Sequence, residues 1–571
     1  MHIKDFLPVF SWLPAYQKTD LKGDLWAGLT VGVLLIPQGM AYAMIAGLPP
    51  IYGLYAAFIP QIIYSIFGTS RQLSVAPVAM ISLLIGAGIS EFASQGSDSY
   101  IKLAILLALI VGTLQLLFGL FRMGFLVNFL SQPVISGYTS SAAIIIGLSQ
   151  LKHLLGVEMP SSNLIHEIVR HTTNHIDETH LLTVIIGIVS IVLMVLIKKI
   201  NKSLPGPLII VILGVITVSV FNLNEVGMNI VGNVPKGLPT FSLPEISTVE
   251  VLNMLPLALL ISLVGFMESI SIAKAIQAKK RTYKVSSNKE LIGLGLANIS
   301  GSFFSSFPVS GGFSRTAVNE QSGANTNLSS WISALLVGLT LLFFTPLFYY
   351  LPKVILASII MVAVFGLIDV KSAITLFKTN KKDFAMLMAT FLSTLLFGVQ
   401  IGITTGVILS LGLVIHRSVY PHLAELGKLP DSNYYRNLSR FPEAKERKDA
   451  LIFRFDAELY FANINYFRER LDQMISRKGD DLKVIILNAQ SIYALDSSAA
   501  RGLEEIVEDC KKRGIEFYMT EVIGPVRDML RRTGLFDKIG EDHFKMRVQD
   551  ALDYFDTHEK PSHTYATQTN P

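Results

Sequence analysis

Between Leu25 and Arg417 the chain presents one apolar run after another, each close to the length that crosses a bilayer. A spanning helix needs about 20 mostly apolar residues. Clear candidates begin at Leu25, Ile51, Ile101, Leu181, Pro207, Leu252, Leu328, Val354 and Phe384. Others, over 74–89, 125–148, 291–307, 313–319 and 401–416, are shorter or richer in Gly and Ser. Together they predict about fourteen spans of ~20 residues. Composition argues against a soluble enzyme and against a disordered chain, since 51% of the 571 residues are hydrophobic and only 16% are charged.

The charges are unevenly placed. Residues 421–571 hold 49 Asp, Glu, Lys and Arg, whereas the 420 residues before them hold 42. That asymmetry is a domain signal. The expected organisation is a cytoplasmic N-terminal segment over 1–24, a transmembrane domain over 25–418, a linker over 419–439, an α/β domain over 440–556 and a disordered tail over 557–571. If the N-terminus is cytoplasmic, the inside segments carry 18 Lys and Arg and the outside segments 5. This is the positive-inside asymmetry. It predicts a multi-pass protein of the cell membrane, with an even number of crossings and both termini in the cytoplasm. Residues 1–22 lack an apolar core followed by a small-residue cleavage site, so no secretory signal is expected. The single cysteine, Cys510, excludes an internal disulfide and a cysteine-based zinc cluster. No cofactor or metal is implied, and no basic stripe among aromatics suggests a nucleic-acid partner.

Two spans break the pattern. One begins Ser74-Val75-Ala76-Pro77, and the other runs Pro308-Val309-Ser310-Gly311-Gly312-Phe313-Ser314-Arg315. Irregular backbone at membrane depth survives only where it lines a cavity or is buried in protein. Counted by span, these are the third and the tenth elements, at matching places in two halves of seven. Such interrupted segments point to a transporter site. A half-helix that starts near the midplane directs unpaired N–H groups and about half a positive charge at the site, which suits an anion. Ser74 and Ser314 offer hydroxyl donors. Arg315 offers a planar cation that binds an oxyanion bidentately. An Arg inside the bilayer costs at least about 2.5–3.5 kcal/mol on insertion scales. Its alternative is a structural pair with Glu268 or with backbone carbonyls.

Glu268 is the only acidic residue of its apolar span. Desolvation penalises a lone carboxylate, so Glu268 is a candidate to carry a proton in step with an anion, or to hold Na+. In the first span, Pro37 and Gly39 interrupt the helix, and Gln38 and Tyr42, spaced i, i+4, share a face.

These stretches resemble the sulfate permease family of anion transporters. The matching segments are Pro37–Tyr42, Gly47–Tyr55, Phe67–Arg71 and Gln132–Tyr138, together with those around Glu268 and Arg315. The resemblance runs from about Asp5 to Phe555. It implies an α-helical polytopic membrane fold of two inverted seven-helix repeats, with gate and core domains, and a homodimer. It implies a substrate site between the half-helices of spans three and ten, formed by Gln38, Tyr42, Ala76, Glu268, Ser314 and Arg315. Family members vary at the position of Glu268, so the resemblance does not fix the coupling ion. Sulfate uptake by proton symport is the expected function. Na+-coupled bicarbonate or dicarboxylate symport is the alternative. An anion sensor or scaffold that signals through the C-terminal domain is a reading of a different class.

That C-terminal domain alternates strands near Leu451–Phe455, Val484–Leu487 and Glu516–Met519 with helices near Ile464–Ile475 and Ser498–Lys512. It resembles a STAS domain. In the bacterial anti-sigma-factor antagonists, to which STAS domains are related, a Ser in an Asp-Ser-Ser-Gly loop is phosphorylated. Here Ala499 follows Ser498, and helix capping by Asp496 or a Ser is favoured over phosphorylation of Ser498.

Overall fold

The computed structural model describes residues 7–125, 131–159, 164–200 and 205–558. Residues 126–130, at the start of the expected 125–148 span, lie outside the described residues, as does the expected tail from 559 onward. The chain divides into two compact units, Met1–Ser410 and Leu411–Pro571.

The first unit is helical. Its main elements are α1 (Lys18–Ile45), α2 (Pro50–Ala56), α3 (Ile59–Phe67), β1 (Val75–Ala76), α4 (Ala79–Ile89), α5 (Asp98–Leu120), α6 (Gln132–Ser149), α7 (Leu181–Ile200) and α8 (Gly206–Phe221). There follow α9 (Thr248–Lys280), α10 (Ser287–Ser302), β2 (Ser310–Gly311), α11 (Phe313–Gln321), α12 (Leu328–Leu339), α13 (Lys353–Phe365), α14 (Val370–Thr379), α15 (Lys381–Phe397) and α16 (Val399–Val419). Among the described residues, seven helical stretches are long and apolar enough to cross a membrane. Shorter apolar helices lie at Ala79–Ile89, Leu181–Ile197, Gly206–Phe221 and Thr404–Val419.

The helices form two packing groups. In one, α1 packs on α2 and α12, α5 packs on α9 and α10, and α3 packs on α10. In the other, α6 packs on α13, α14 and α15, and α7 packs on α8 and α13. Helix α1 also touches α8 and α13, joining the groups.

Small residues permit the closest approaches, as expected where apolar lipid supplies no drive for association. A Cβ at Gly112 of α5 would lie 2.7 Å from the Gly295 carbonyl oxygen of α10, and one at Gly295 would lie 2.8 Å from that of Gly112. The tightest crossing joins α1 to α2, where a Cβ on Gly53 would run into the carbonyl oxygen of Gly39. Backbone on both sides leaves no flexible atom to yield. Gly53→Ala should therefore destabilise the protein by about 3 kcal/mol, the upper range for overpacking. Thermal unfolding in detergent should show a lowered midpoint, while Gly96→Ala, which meets nothing within 4 Å, gives the smaller effect of its left-handed backbone alone.

The second unit is a six-stranded sheet in the order β4-β3-β5-β6-β7-β8: β3 (Leu423–Lys428), β4 (Tyr435–Asn437), β5 (Ala450–Phe455), β6 (Val484–Asn488), β7 (Glu516–Thr520) and β8 (Phe544–Lys545). Strands β5 to β8 run parallel, and β3 and β4 are antiparallel additions. Alternate residues serve opposite faces. Leu451, Phe453, Ile485 and Leu487 join a core with α17 (Ile464–Lys478) and α18 (Ser497–Lys512). Ile452, Val484 and Ile486 join a second core with the C-terminal helix α21 (Val548–His558), which follows α19 (Gly524–Arg532) and α20 (Leu535–Ile539). Burial on both faces is why Val484–Leu487 reads as an unbroken apolar run.

The expected linker over 419–439 is not one, since it contains β3 and β4. Leu-Ala-Glu-Leu-Gly-Lys carries no strong strand signal, yet Ala424 and Leu426 are buried and Glu425 pairs with Arg477. Pairing with β5 sets its conformation more than its own composition does.

Arg447, just before β5, clasps α21. It donates to Asp449 at 2.6 and 2.9 Å and to Asp556 at 2.8 and 2.9 Å. The Arg447 hydrogen bond holds the Asp449 carboxyl below the usual carboxylate range. A depressed folded-state value means that this stabilisation is complete above the unfolded value, about 3.9, and is lost as pH falls through the folded one. Thermal unfolding of the second unit should show a lowered midpoint below about pH 4. Arg447→Met should remove the Asp449 part of that pH dependence and loosen α21 at neutral pH, read by hydrogen exchange.

Candidate functional site

The two broken segments meet. Strands β1 and β2 pair antiparallel, Val75 with Gly311 and Ala76 with Ser310. The Gly312 N–H donates to the Ser74 carbonyl at 3.0 Å, and the Ser74 N–H donates to Thr316 Oγ1 at 3.1 Å. The ribbon thus pairs backbone groups that neither half-helix can satisfy. Because its strands are antiparallel, α4 and α11 leave it in opposite directions, each with its N-terminus at the ribbon. The capping residues, Val78 and Gly312, form no side-chain cap.

Helix α9 is pinned alongside. Ser310 Oγ donates to the Gly265 carbonyl at 2.8 Å and lies 2.9 Å from Ser269 Oγ, which accepts from the Gly311 N–H at 2.8 Å. On the other side Asn298 of α10 brackets Val309. Its Oδ1 accepts from the Val309 N–H at 2.8 Å, and its Nδ2 donates to the Val309 carbonyl at 3.2 Å.

Arg315 is 2% exposed. Among the described residues its one hydrogen bond is Nε to Ser74 Oγ at 3.4 Å, and Nη2 has no partner. It forms no ion pair with Glu268 and binds no carbonyl, so the structural pairing considered from sequence is not what holds it. The guanidinium folds back over Gly312, where a Cβ would meet Nη2 at 2.6 Å.

Other carboxylates show what a structural role looks like here. Buried Glu290 accepts from Tyr64 Oη, the Thr69 N–H and hydroxyl and the Ser70 N–H at 2.5–3.0 Å. Buried Asp24 accepts from the Asn325 and Thr326 N–H groups and the Thr326 hydroxyl at 2.5–3.0 Å. Glu268, on α9 beside Ser269, has no such partners, and its Oε2 is buried and unpaired. A buried polar atom left unpaired costs free energy and calls for an explanation.

Gln38 and Tyr42 are buried on α1, and Gln38 Oε1 lacks a partner. Tyr42 interacts electrostatically with both Arg315 and Glu268. Ala76 is buried within β1 and offers the ribbon its backbone. Ser314 is exposed in the first turn of α11. Buried Tyr138 of α6, whose hydroxyl lacks a partner, also interacts with Glu268. It lies in the Gln132–Tyr138 segment, yet neither it nor Ser269, Ser310, Asn298 or Thr316 stands out in the sequence. Among the described residues, Arg315 Nη2, Gln38 Oε1, the Tyr138 hydroxyl and Glu268 Oε2 are thus left without hydrogen-bond partners.

In the second unit Asp496 caps α18, its carboxylate accepting from the Ala499 N–H at 2.7 Å. Ser498 is exposed in the first turn. Buried Cys510 lies in the core under α18, and its burial pushes the thiol up to about 11. Among the described residues no cluster of three His, Cys, Asp or Glu side chains is placed to hold a metal.

Comparison with known proteins agrees with this architecture. Residues 21–390 match the sulfate permease family, and residues 441–551 match the STAS domain. "Sulfate transporter 4.1, chloroplastic" of Arabidopsis thaliana is 41% identical over 568 residues, covering 96% of this chain and 82% of that protein. "High affinity sulfate transporter 2" of Stylosanthes hamata is 34% identical, covering 95% and 85%. Among solved structures, the murine Solute Carrier 26 family member A9 anion transporter in the inward-facing state matches with a TM-score of 0.90 at 26% identity, covering 97% of this chain and 94% of that one. The transmembrane domain of a cyanobacterium bicarbonate transporter, BicA, shares the fold at a TM-score of 0.60 and 24% identity, covering 70% and 99%. These relatives are transporters rather than enzymes. This chain is a multi-pass membrane protein with a C-terminal STAS domain, and it belongs to the sulfate permease family.

Proposed function

We propose that the protein takes up sulfate by proton symport. The anion binds between the N-termini of α4 and α11, against Arg315 Nη2, with Ser74, Ser314, Gln38, Tyr42 and the Ala76 backbone around it. The observation that carries this reading is Arg315 itself, a buried cation that among the described residues forms no salt bridge and leaves Nη2 without a hydrogen-bond partner, beside the meeting point of two half-helices. The sulfate transporters among the relatives support the choice of anion. Glu268 carries the proton. About fourteen segments cross the membrane in two inverted repeats, and the group containing α1, α5 and α9 moves against the group containing α6 and α7 to alternate access. The 18-to-5 distribution of basic residues supports a cytoplasmic N-terminus and STAS domain in the cell membrane, and the working form is a homodimer.

The test is labelled sulfate uptake into proteoliposomes under an imposed pH gradient, with and without Na+. Bicarbonate, fumarate and chloride serve as competitors. Accumulation that needs the pH gradient, and that unlabelled sulfate competes best, is the expected result. Dependence on Na+ with stronger competition by bicarbonate or fumarate overturns it, and anion binding without flux leaves a sensor.

A further inference from the structure

A second basic site lies well outside the ribbon. A cavity of about 280 Å3 opens between the short helix Val9–Trp12, the turn Gly68–Arg71 and the segment Thr282–Lys289. That volume is near the lower end for small-ligand pockets, roughly 300–1,000 Å3. Among the described residues its lining includes the basic side chains Arg71 and Lys284, with Lys289 already engaged in an interaction of its own, and no acidic one. Arg71 lies over the Tyr283 ring at 5.3 Å, and among the described residues no carboxylate pairs with it. Tyr283 is itself anchored, its hydroxyl donating to Gln72 Oε1 at 2.6 Å. The guanidinium therefore rests on a fixed aromatic face.

The wall opposite supplies a second kind of donor. Trp12 is 3% exposed, and its indole Nε1 has no hydrogen-bond partner. An indole N–H can only donate, and buried donors are normally satisfied. The ring is held edge-on between Tyr16 and Trp331, so it has little freedom to turn toward water. The Thr69 side of the cavity is built firmly as well. Thr69 Oγ1 donates to Glu290 and accepts from the Ser286 N–H, and Glu290 has both oxygens occupied by protein donors. Two cations, Arg71 and Lys284, and an orphaned N–H donor thus line one small cavity with rigid walls.

We infer that this cavity binds a phosphate or sulfate group, outside the transport site, through Arg71 and Lys284, and that the bound anion clamps the N-terminal segment against the turn at Gly68–Arg71. A planar guanidinium and an ammonium group match the charge and geometry of a tetrahedral oxyanion. A free inorganic anion and the headgroup of an anionic phospholipid present the same chemistry. The inference rests on this cavity alone and does not depend on which anion is transported.

The experiment is hydrogen exchange of the full chain in nanodiscs. One arm uses neutral phosphatidylcholine discs with inorganic phosphate titrated in. The other uses discs containing phosphatidylglycerol, in phosphate-free buffer. Both arms are run also in an Arg315→Gln background, which separates this cavity from the transport site. Slowed exchange around Val9–Trp12 and Thr282–Val285, retained in Arg315→Gln, is the expected result. Protection by phosphate in neutral discs identifies a free anion as the ligand, and protection only in phosphatidylglycerol discs identifies a lipid headgroup. Arg71→Gln with Lys284→Gln should weaken it at least tenfold. Lys284→Gln alone, an exposed position that folding tolerates, should weaken it severalfold. No protection in either arm, or protection that neither substitution changes, overturns the inference.

Discussion

Arg315→Gln should abolish sulfate accumulation while leaving the protein folded. The guanidinium is buried with Nη2 unpaired and makes a single long hydrogen bond, to Ser74. Little of the resting structure depends on it, so unfolding temperature should stay the same or rise, because a buried charge without a salt bridge is removed. Binding should suffer greatly. Losing one partner of a buried, hydrogen-bonded charge pair costs about 2–5 kcal/mol, roughly thirtyfold to several thousandfold in affinity. Arg315→Lys keeps the charge but not the planar fork, and should recover only part of the loss. The measurement is equilibrium sulfate binding by the purified variants, with melting curves alongside. An Arg315→Gln protein that binds sulfate normally would remove Arg315 from the site. One that fails to fold would show that the side chain is structural after all. Gly312→Ala offers an independent check, because the added methyl occupies the space into which the guanidinium folds.

Glu268→Gln should separate transport from its driving force. The amide keeps the size of the carboxylic acid but cannot release a proton. Exchange of internal for external sulfate, which needs no net proton movement, should continue. Accumulation against a gradient should not. With one proton per anion and no membrane potential, a pH difference of two units supports about a hundredfold accumulation, since each unit is worth about 1.36 kcal/mol. The variant should fall to near unity. Counterflow and pH-driven uptake measured on the same vesicles give both numbers. If Glu268→Gln still accumulates sulfate in response to pH, the proton travels elsewhere. Asp24→Asn and Glu290→Gln make useful contrasts. Both carboxylates are saturated by donors, so their loss should lower stability more than coupling.

The sequence was most legible where a physical demand leaves few choices. Apolar runs marked the helices, because backbone in lipid has no other way to satisfy its polar groups. Ser-Val-Ala-Pro and Ser-Gly-Gly at membrane depth marked the two breaks, and Arg315 and Glu268 stood out as charges against a low background. Strands β5, β6 and β7 and helices α17 and α18 of the second unit were legible from their alternation, to within three residues at each end, whereas β3, β4, β8 and α19 to α21 were not. What escaped depends on chain segments far apart in sequence. Two-residue strands have no periodicity, so nothing in Val75–Ala76 announces Ser310–Gly311 as its partner. Ser269, Ser310, Asn298 and Tyr138 are ordinary residues until the fold sets them against the ribbon. Leu423–Lys428 looked like a linker because its strand character comes from β5. The basic cavity is likewise assembled from three separate segments, Pro8–Trp12, Gly68–Arg71 and Thr282–Lys289.

The ribbon also imposes an order on biosynthesis. Ser74 bonds to Thr316 across 242 positions of the chain, and Arg315 reaches Ser74 across 241. A ribosome adding about 5–20 residues per second needs roughly 12–50 s to supply the second half of that clasp after the first has emerged. Throughout that interval the extended backbone of residues 74–78, which in lipid can find no hydrogen bonds of its own, has no β2 to pair with. The nascent first half is thus unfinished by construction. Chains halted before Gly311 should be cleared by membrane quality control, whereas a first-half fragment co-expressed with the second half should be rescued from degradation.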